Sequence, residues 1–263
     1  MEPVVNRQLF ELVNFDSATP AGSAAVVHRF TAEGQYILSL IRENRVVETR
    51  SLTVLPAEAP VSESAATSPG PGVHPPEAIT IDLRDSEPGP GLSRVAEQPS
   101  RLTIPAGGYA AFTGPPGLVN RAVVRRVDAA GDKENVEFDT AELGPDDVFA
   151  LTLVRPGTYA VRDAVGDHTG RIVVTYPVVG DVPYRPADPV DVRVEDSGFN
   201  PGDVTIGPGQ GTVFRIGTRS RVSVDLLEPD DGPRETGRAL RWRAGWRAPL
   251  RQGGDPDGTR DKG

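Results

Sequence analysis

The chain has 263 residues, a net charge of −9, 25% charged and 37% hydrophobic residues, and no cysteine. That length bounds one large domain or two to three small ones. The missing thiols exclude disulfides, cysteine nucleophiles and thiolate metal sites.

The first fourteen residues, MEPVVNRQLFELVN, hold no basic region followed by a long apolar core, so they are not a signal peptide as written. No stretch approaches the roughly 20 apolar residues of a membrane helix. From Phe15 the segment FDSATPAGSAAVVHRFTAEGQYILSL begins a pattern that returns, without a gap, as FDTAELGPDDVFALTLVRPGTYAVRD from Phe138. Phe15, Asp16, Ser17 and Ala18 meet Phe138, Asp139, Thr140 and Ala141, and Gly34 and Tyr36 meet Gly157 and Tyr159. Residues 57–77 are rich in Ala, Pro and Ser and lack periodicity, which predicts a semi-extended spacer.

A second correspondence follows. LTIPAGGYAAF at 102–112 matches VTIGPGQGTVF at 204–214, so that Thr103, Ile104, Gly107 and Phe112 meet Thr205, Ile206, Gly209 and Phe214. An alternating run precedes each, AITIDLR at 78–84 and VDVRVED at 190–196. Every second residue is apolar in VFALTL (148–153) and YAVR (159–162), and Gly-Pro and Pro-Gly pairs punctuate the runs. With 29 glycines and 26 prolines, about a fifth of the chain, the pattern predicts an all-β, Greek-key β-sandwich protein. The predicted division is a C-terminal half-unit at 1–56, a spacer at 57–77, a complete unit at 78–177 and a stiffer spacer at 178–189. An N-terminal half-unit at 190–231 and a basic tail at 232–263 complete it. The half-units 1–56 and 190–231 are complementary, and pairing them, within one chain or between two, would hide strand edges and apolar faces that a lone half exposes. A half-unit at each end equally fits a start lying upstream and a shifted reading frame after about residue 233.

Three stretches resemble the cupredoxin (plastocyanin-type blue copper) family. GFNPGDVTIGPGQGTVFRI (198–216) resembles the family's opening strands, and FDTAELGPDDVFALTL (138–153) the strand pair before its metal loop. RPGTYAVRD with HTGRIVV (155–174) resembles the closing strands around that loop. The resemblance implies tandem sandwiches and an extracytoplasmic location. It places the copper-binding Cys near Asp163 and Leu40, and the early His around Asn120 or Ala122 and around Ser220. None of these is Cys or His, so the resemblance comes without type 1 copper, and no cofactor is expected. Gly157 and Tyr159 then serve the sandwich: Gly turns sharply into the strand, and Tyr packs its ring inward with its hydroxyl to a partner at the rim.

The remaining candidates weigh towards structure. His28, His74 and His168 lie in separate segments, which argues against a shared metal site. Asp128, Asp132, Glu134, Glu137, Asp139, Glu142, Asp146 and Asp147 lack the spacing of a calcium loop and predict a solvated acidic face. Asp16 and Asp139, each followed by Ser or Thr, predict turns in which the carboxylate caps backbone amides. No nucleophile elbow, phosphate loop or acid–base pair appears, so the chain is expected not to be an enzyme. Residues 234–263 carry eight Arg or Lys against four Asp or Glu, which leaves −13 on residues 1–233 and argues against nucleic acid there. Arg238, Arg241, Trp242, Arg243, Trp246 and Arg247 form a basic, aromatic candidate for binding a membrane surface or nucleic acid. The expected function is a non-catalytic structural or macromolecule-binding module, with an unidentified macromolecule or self-association as partner. A metal-binding or electron-transfer relative with unrecognised ligands and a surface binder acting through the Trp/Arg tail are the alternatives.

Overall fold

The computed structural model describes residues 11–57, 77–84, 101–127, 134–176 and 184–230. Seventeen strands form among them. In the first part of the chain these are β1 (Asn14–Asp16), β2 (Ala24–Arg29), β3 (Gly34–Arg42) and β4 (Arg45–Leu55). Next come β5 (Ala78–Asp82), β6 (Arg101–Pro105), β7 (Tyr109–Thr113), β8 (Arg121–Val127) and β9 (Glu134–Asp139). Then follow β10 (Val148–Thr152), β11 (Gly157–Asp163), β12 (His168–Val174) and β13 (Val190–Glu195). The last four are β14 (Gly198–Asn200), β15 (Asp203–Ile206), β16 (Gly211–Ile216) and β17 (Val222–Pro229). No helix among the described residues is long and apolar enough to cross a membrane.

The strands make three mixed sheets. A central seven-stranded sheet runs β14-β13-β16-β10-β2-β7-β5, one outer sheet runs β6-β4-β3-β8-β9, and the other runs β15-β12-β11-β17-β1. Period-two alternation decides which faces close on each other. In β11, Gly157, Tyr159, Val161 and Asp163 point inward while the residues between them are at least partly exposed. Aromatic contacts join the layers: Phe112 of β7 stacks on Phe138 of β9 at 4.7 Å, and Phe30 meets Tyr36 of β3 edge-on at 5.4 Å. One continuous cluster of buried apolar residues, from Phe15 to Val224, fills the space between the sheets.

The ladders join the halves in another way than the linear division expects. β6, β7 and β8 bond to β4, β2 and β3 through the β4·β6, β2·β7 and β3·β8 ladders, and β5 pairs with β7. β10, β11 and β12 bond instead to later strands, through β10·β16, β11·β17 and β12·β15. Among the described residues, no ladder joins β5–β8 to β10–β12, and the ladder pairing between 1–56 and 190–231 is β1·β17. The physical reason is that all four halves need a partner. Joining each half to the one that follows it satisfies all four through short connections. A self-contained 78–177 would leave the two terminal halves to meet across more than a hundred intervening residues, at a higher loop-closure cost.

Corresponding contacts recur across the two lobes so formed. Gly107 N donates to Phe30 O at 2.6 Å, and Gly209 N to Leu153 O at 2.7 Å, which satisfies the 102- and 123-residue correspondences at once. Both glycines have positive φ, +90° and +77°, where a side chain would be strained. The two outer sheets have the same strand order, with β9 standing in one where β1 stands in the other. β1 precedes β2 in the chain but pairs with β17, and β9 precedes β10 but pairs with β8, so the two lobes exchange an edge strand. In the central sheet, Val26 of β2 lies directly opposite Phe149 of β10, its own correspondent in the sequence.

Candidate functional site

The positions at which the family resemblance would put copper ligands lie at one end of each outer sheet. In the first lobe, Leu40 of β3 faces Ala122 of β8, and Asn120 sits just before β8. Leu40 and Asn120 are both buried. Asn120 Nδ2 donates to Leu83 O at 2.7 Å, and its Oδ1 accepts from Arg42 Nε at 2.8 Å. The amide is thus held between the end of β5 and the rim of β3.

In the second lobe, Asp163 ends β11, His168 stands opposite it in β12, and Ser220 lies just before β17. Asp163 Oδ1 accepts from Val165 N and Arg221 N, both at 3.0 Å, so the carboxylate pins the β11–β12 turn to the start of β17. Asp163 Oδ2 and Ser220 Oγ are buried without a hydrogen-bond partner. A buried carboxylate oxygen without a partner is costly, and Asp163 keeps two backbone amides on its other oxygen in compensation. These side chains offer one half-buried imidazole, one carboxylate and one hydroxyl. That donor set does not fit type 1 copper, which needs a thiolate with two imidazoles. Among the described residues, no group of three or more His, Cys, Asp or Glu is placed to hold a metal.

Near the end of β5 that Asn120 holds, Arg50 of β4 is almost fully buried. Its Nη1 donates to Asp82 O at 2.9 Å, its Nη2 to Arg84 O at 2.8 Å and its Nε to Glu48 at 2.6 Å. This clamps β5 to the outer sheet, as a planar guanidinium with several fixed donors can. In the second lobe the ladder partner-for-partner equivalent is Gly170, where the Phe199 ring approaches instead. Nothing in the local sequence around Arg50 points to it, since the carbonyls of Asp82 and Arg84 that it holds are 32 and 34 residues away.

Asp16 and Asp139 behave as the repeated Asp-Ser/Thr pattern predicts. Asp16 Oδ1 accepts from Ala18 N at 2.8 Å, and Asp139 Oδ1 from Ala141 N at 2.9 Å. Each also pairs with an arginine at the start of a neighbouring strand: Asp139 with Arg121, which opens β8, and Asp16 with Arg221, just before β17, at 2.6 Å. The hydrogen bond that each arginine donates to its carboxylate is the main cause that raises the arginine's pKa above its ordinary value.

The acidic run departs from a uniformly solvated face. Asp147 is buried, and its Oδ1 lies 2.6 Å from His28 Nδ1 at the seam between β2 and β10. Asp147 Oδ2 accepts from Gly144 N at 2.7 Å. The His28 ring packs edge-on to Phe30 and tilted against Phe138, with Nε2 buried and unpartnered. Glu142 pairs with Arg219 at 2.6 Å at the surface. Sequence reading missed the His28–Asp147 pair because the two residues are 119 apart and meet only once β2 and β10 are neighbours. Asp128, Asp132, His74 and the tail candidates Arg238, Arg241, Trp242, Arg243, Trp246 and Arg247 lie outside the described residues, as does the Glu134 side chain.

At the far end of the first lobe from Asn120, Arg29, Leu55, Pro56, Glu77, Pro105 and Tyr109 border a cleft of about 780 Å³. Arg29 Nε donates to Gly107 O at 3.1 Å, and its guanidinium lies 5.7 Å from the centre of the Tyr109 ring. Tyr109 and Leu55 are exposed.

Comparison with protein-family models, curated proteins and solved structures finds no match for the chain.

Proposed function

We propose that the chain is a non-catalytic structural or macromolecule-binding protein, built from two cupredoxin-like, Greek-key sandwiches that hold no type 1 copper. Each sandwich would combine a half-unit of one kind with the complementary half-unit that follows it. One observation carries the reading. Where the resemblance expects copper ligands, Asn120 and Asp163 instead hold backbone: Leu83 O in one lobe, Val165 N and Arg221 N in the other. Such bonds fix the loop ends of a sandwich and leave the two side chains no thiolate or imidazole to offer. The twinned aspartate turns and edge strands support two units of one design. The resemblance is also what suggests an extracytoplasmic protein.

The test is thermal unfolding of the full chain with and without an excess of copper ions. A ligand that binds only the folded state raises stability in proportion to the logarithm of its concentration over Kd. The expected result is an unchanged Tm. A copper-dependent rise in Tm that disappears in His168→Ala would overturn the reading in favour of a metal carrier.

A further inference from the structure

The seam between the two lobes pairs corresponding strands. Its ladder sets Ala24, Ala25, Val26 and Val27 of β2 opposite Leu151, Ala150, Phe149 and Val148. The 123-residue correspondence makes Val26 and Phe149 counterparts, and likewise Ala24 and Asp147, Ala25 and Val148, Val27 and Ala150, His28 and Leu151. Each rung therefore has an equivalent on the other side of Val26–Phe149. Ala25–Ala150 answers Val27–Val148, and Ala24–Leu151 answers His28–Asp147.

The backbone alone does not say which strand belongs opposite which. In the same register, β2 of one chain fits β2 of a second copy about Val26, and β10 fits β10 about Phe149. An open strand edge accepts any strand that fits, and exchange of equivalent elements between copies is a low-cost route to dimers. The side chains of the end rungs differ between these pairings. Within the chain, one end rung is Ala24–Leu151, apolar and buried on both sides. The other is His28–Asp147, with Asp147 Oδ1 2.6 Å from His28 Nδ1 and Asp147 only 4% exposed. A β2–β2 seam sets His28 against Ala24 at both ends, and a β10–β10 seam sets Asp147 against Leu151 at both ends. Either one parts the imidazole from the carboxylate and leaves a buried ionisable group facing an apolar side chain, which is strongly disfavoured. The Ala24–Leu151 rung shows that an uncharged pair fits this place in the fold, so neither space nor backbone demands the charged one.

We infer that the His28–Asp147 pair selects the partner at the seam: it lets β2 accept β10 and refuse the same strand of a second copy. Selection is a difference between pairings, and the pair supplies it by penalising both like-with-like seams. Self-association through this sheet is thereby restricted to unlike lobes. The inference stands apart from the copper reading, which the Tm titration tests.

The experiment uses Val26→Cys in the full chain, whose cysteine-free background leaves one thiol per molecule. Within the chain position 26 faces Phe149, whereas a β2–β2 seam brings two such thiols face to face. The protein is refolded from urea at high concentration under reducing conditions and then mildly oxidised. Disulfide-linked dimer is scored by non-reducing electrophoresis. With His28 and Asp147 in place, the dimer is expected to be a minor product. Adding His28→Leu with Asp147→Ala copies the Leu151–Ala24 rung and makes all the pairings alike, which should raise the dimer about tenfold. Circular dichroism and Tm establish that each variant is folded. Should the apolar variant not fold, His28→Gln with Asp147→Asn takes its place, and a smaller rise is expected. Dimer already abundant with the pair intact would overturn the inference. So would a dimer fraction that stays the same when the pair is removed, even with a lowered Tm, because the pair would then only stabilise the fold.

Discussion

Tyr36 and Tyr159 occupy the same place in the two lobes. Each ring is about 1% exposed, and each hydroxyl donates to a carbonyl four residues earlier: Tyr36 to Ala32 O at 2.7 Å and Tyr159 to Arg155 O at 2.8 Å. Burial is the main reason both phenols resist ionisation. Desolvation pushes Tyr159 from 10 up to about 12, and it raises Tyr36 too, with Glu137 adding to the shift. The folded state therefore holds the protonated phenol more tightly than the unfolded chain does. That stability is complete below about pH 10 and drains away as pH climbs towards 12. Absorbance titration of the five tyrosines should show two that ionise late and together with unfolding. Tyr159→Phe should cost about 1 kcal/mol in urea unfolding, the value of one buried hydrogen bond, and should leave a single late tyrosine. The inward ring and rim hydroxyl were legible in the sequence, because a Pro-Gly-Thr-Tyr run states both the turn and the apolar position. The carbonyl partner was legible only as "near the rim".

Among the elements, the exchanged edge strands are the least expected feature. β1 is three residues long and joins a lobe whose other strands lie far along the chain. Side-chain bonds hold the exchanged segments where short ladders alone would be marginal. Thr140 Oγ1 donates to Ala18 O at 2.8 Å and accepts from Ala122 N at 3.0 Å, fully buried, while Ser17 Oγ accepts from Val222 N at 3.1 Å. Thr140→Val would bury a backbone amide and a carbonyl without their partner at nearly constant volume. It should cost about 1–3 kcal/mol in urea unfolding, whereas a loss under about 0.5 kcal/mol would show that the exchange does not depend on this hydroxyl. The correspondences at 123 and 102 residues were legible as sequence, and so were strand type and spacing. Which half pairs with which was not. An alternating strand such as VFALTL states that one face is buried but not against whom, and β2 and β10 offer the same face to a β7- or β16-like partner. Choice of partner is settled by the joint demand of four halves and three connections, a property that no local window contains. The same limit hid the His28–Asp147 pair and the Arg50 clamp, whose sequences are unremarkable until distant strands meet.

The whole described body, from residue 11 to 230, belongs to one compact unit. The reason is the β2·β10 ladder, which makes one central sheet out of what would otherwise be two. Phe149 and Val26 meet at its middle, both fully buried, and Phe149 stacks on Phe214 at 5.9 Å. The absence of cysteine gives a clean background for testing this seam. Val27 and Val148 lie opposite each other across it, and neither is fully buried. Opposed residues of antiparallel strands stand about 4.5–5.5 Å apart at Cα, within reach of a disulfide. The decisive measurement is mild oxidation of Val27→Cys/Val148→Cys, read by non-reducing electrophoresis and thiol titration. Rapid, complete closure of a disulfide within one chain, in a protein that keeps its Tm, is the result expected if the two lobes share one sheet. Two thiols that stay free, or that link only between chains, would contradict it.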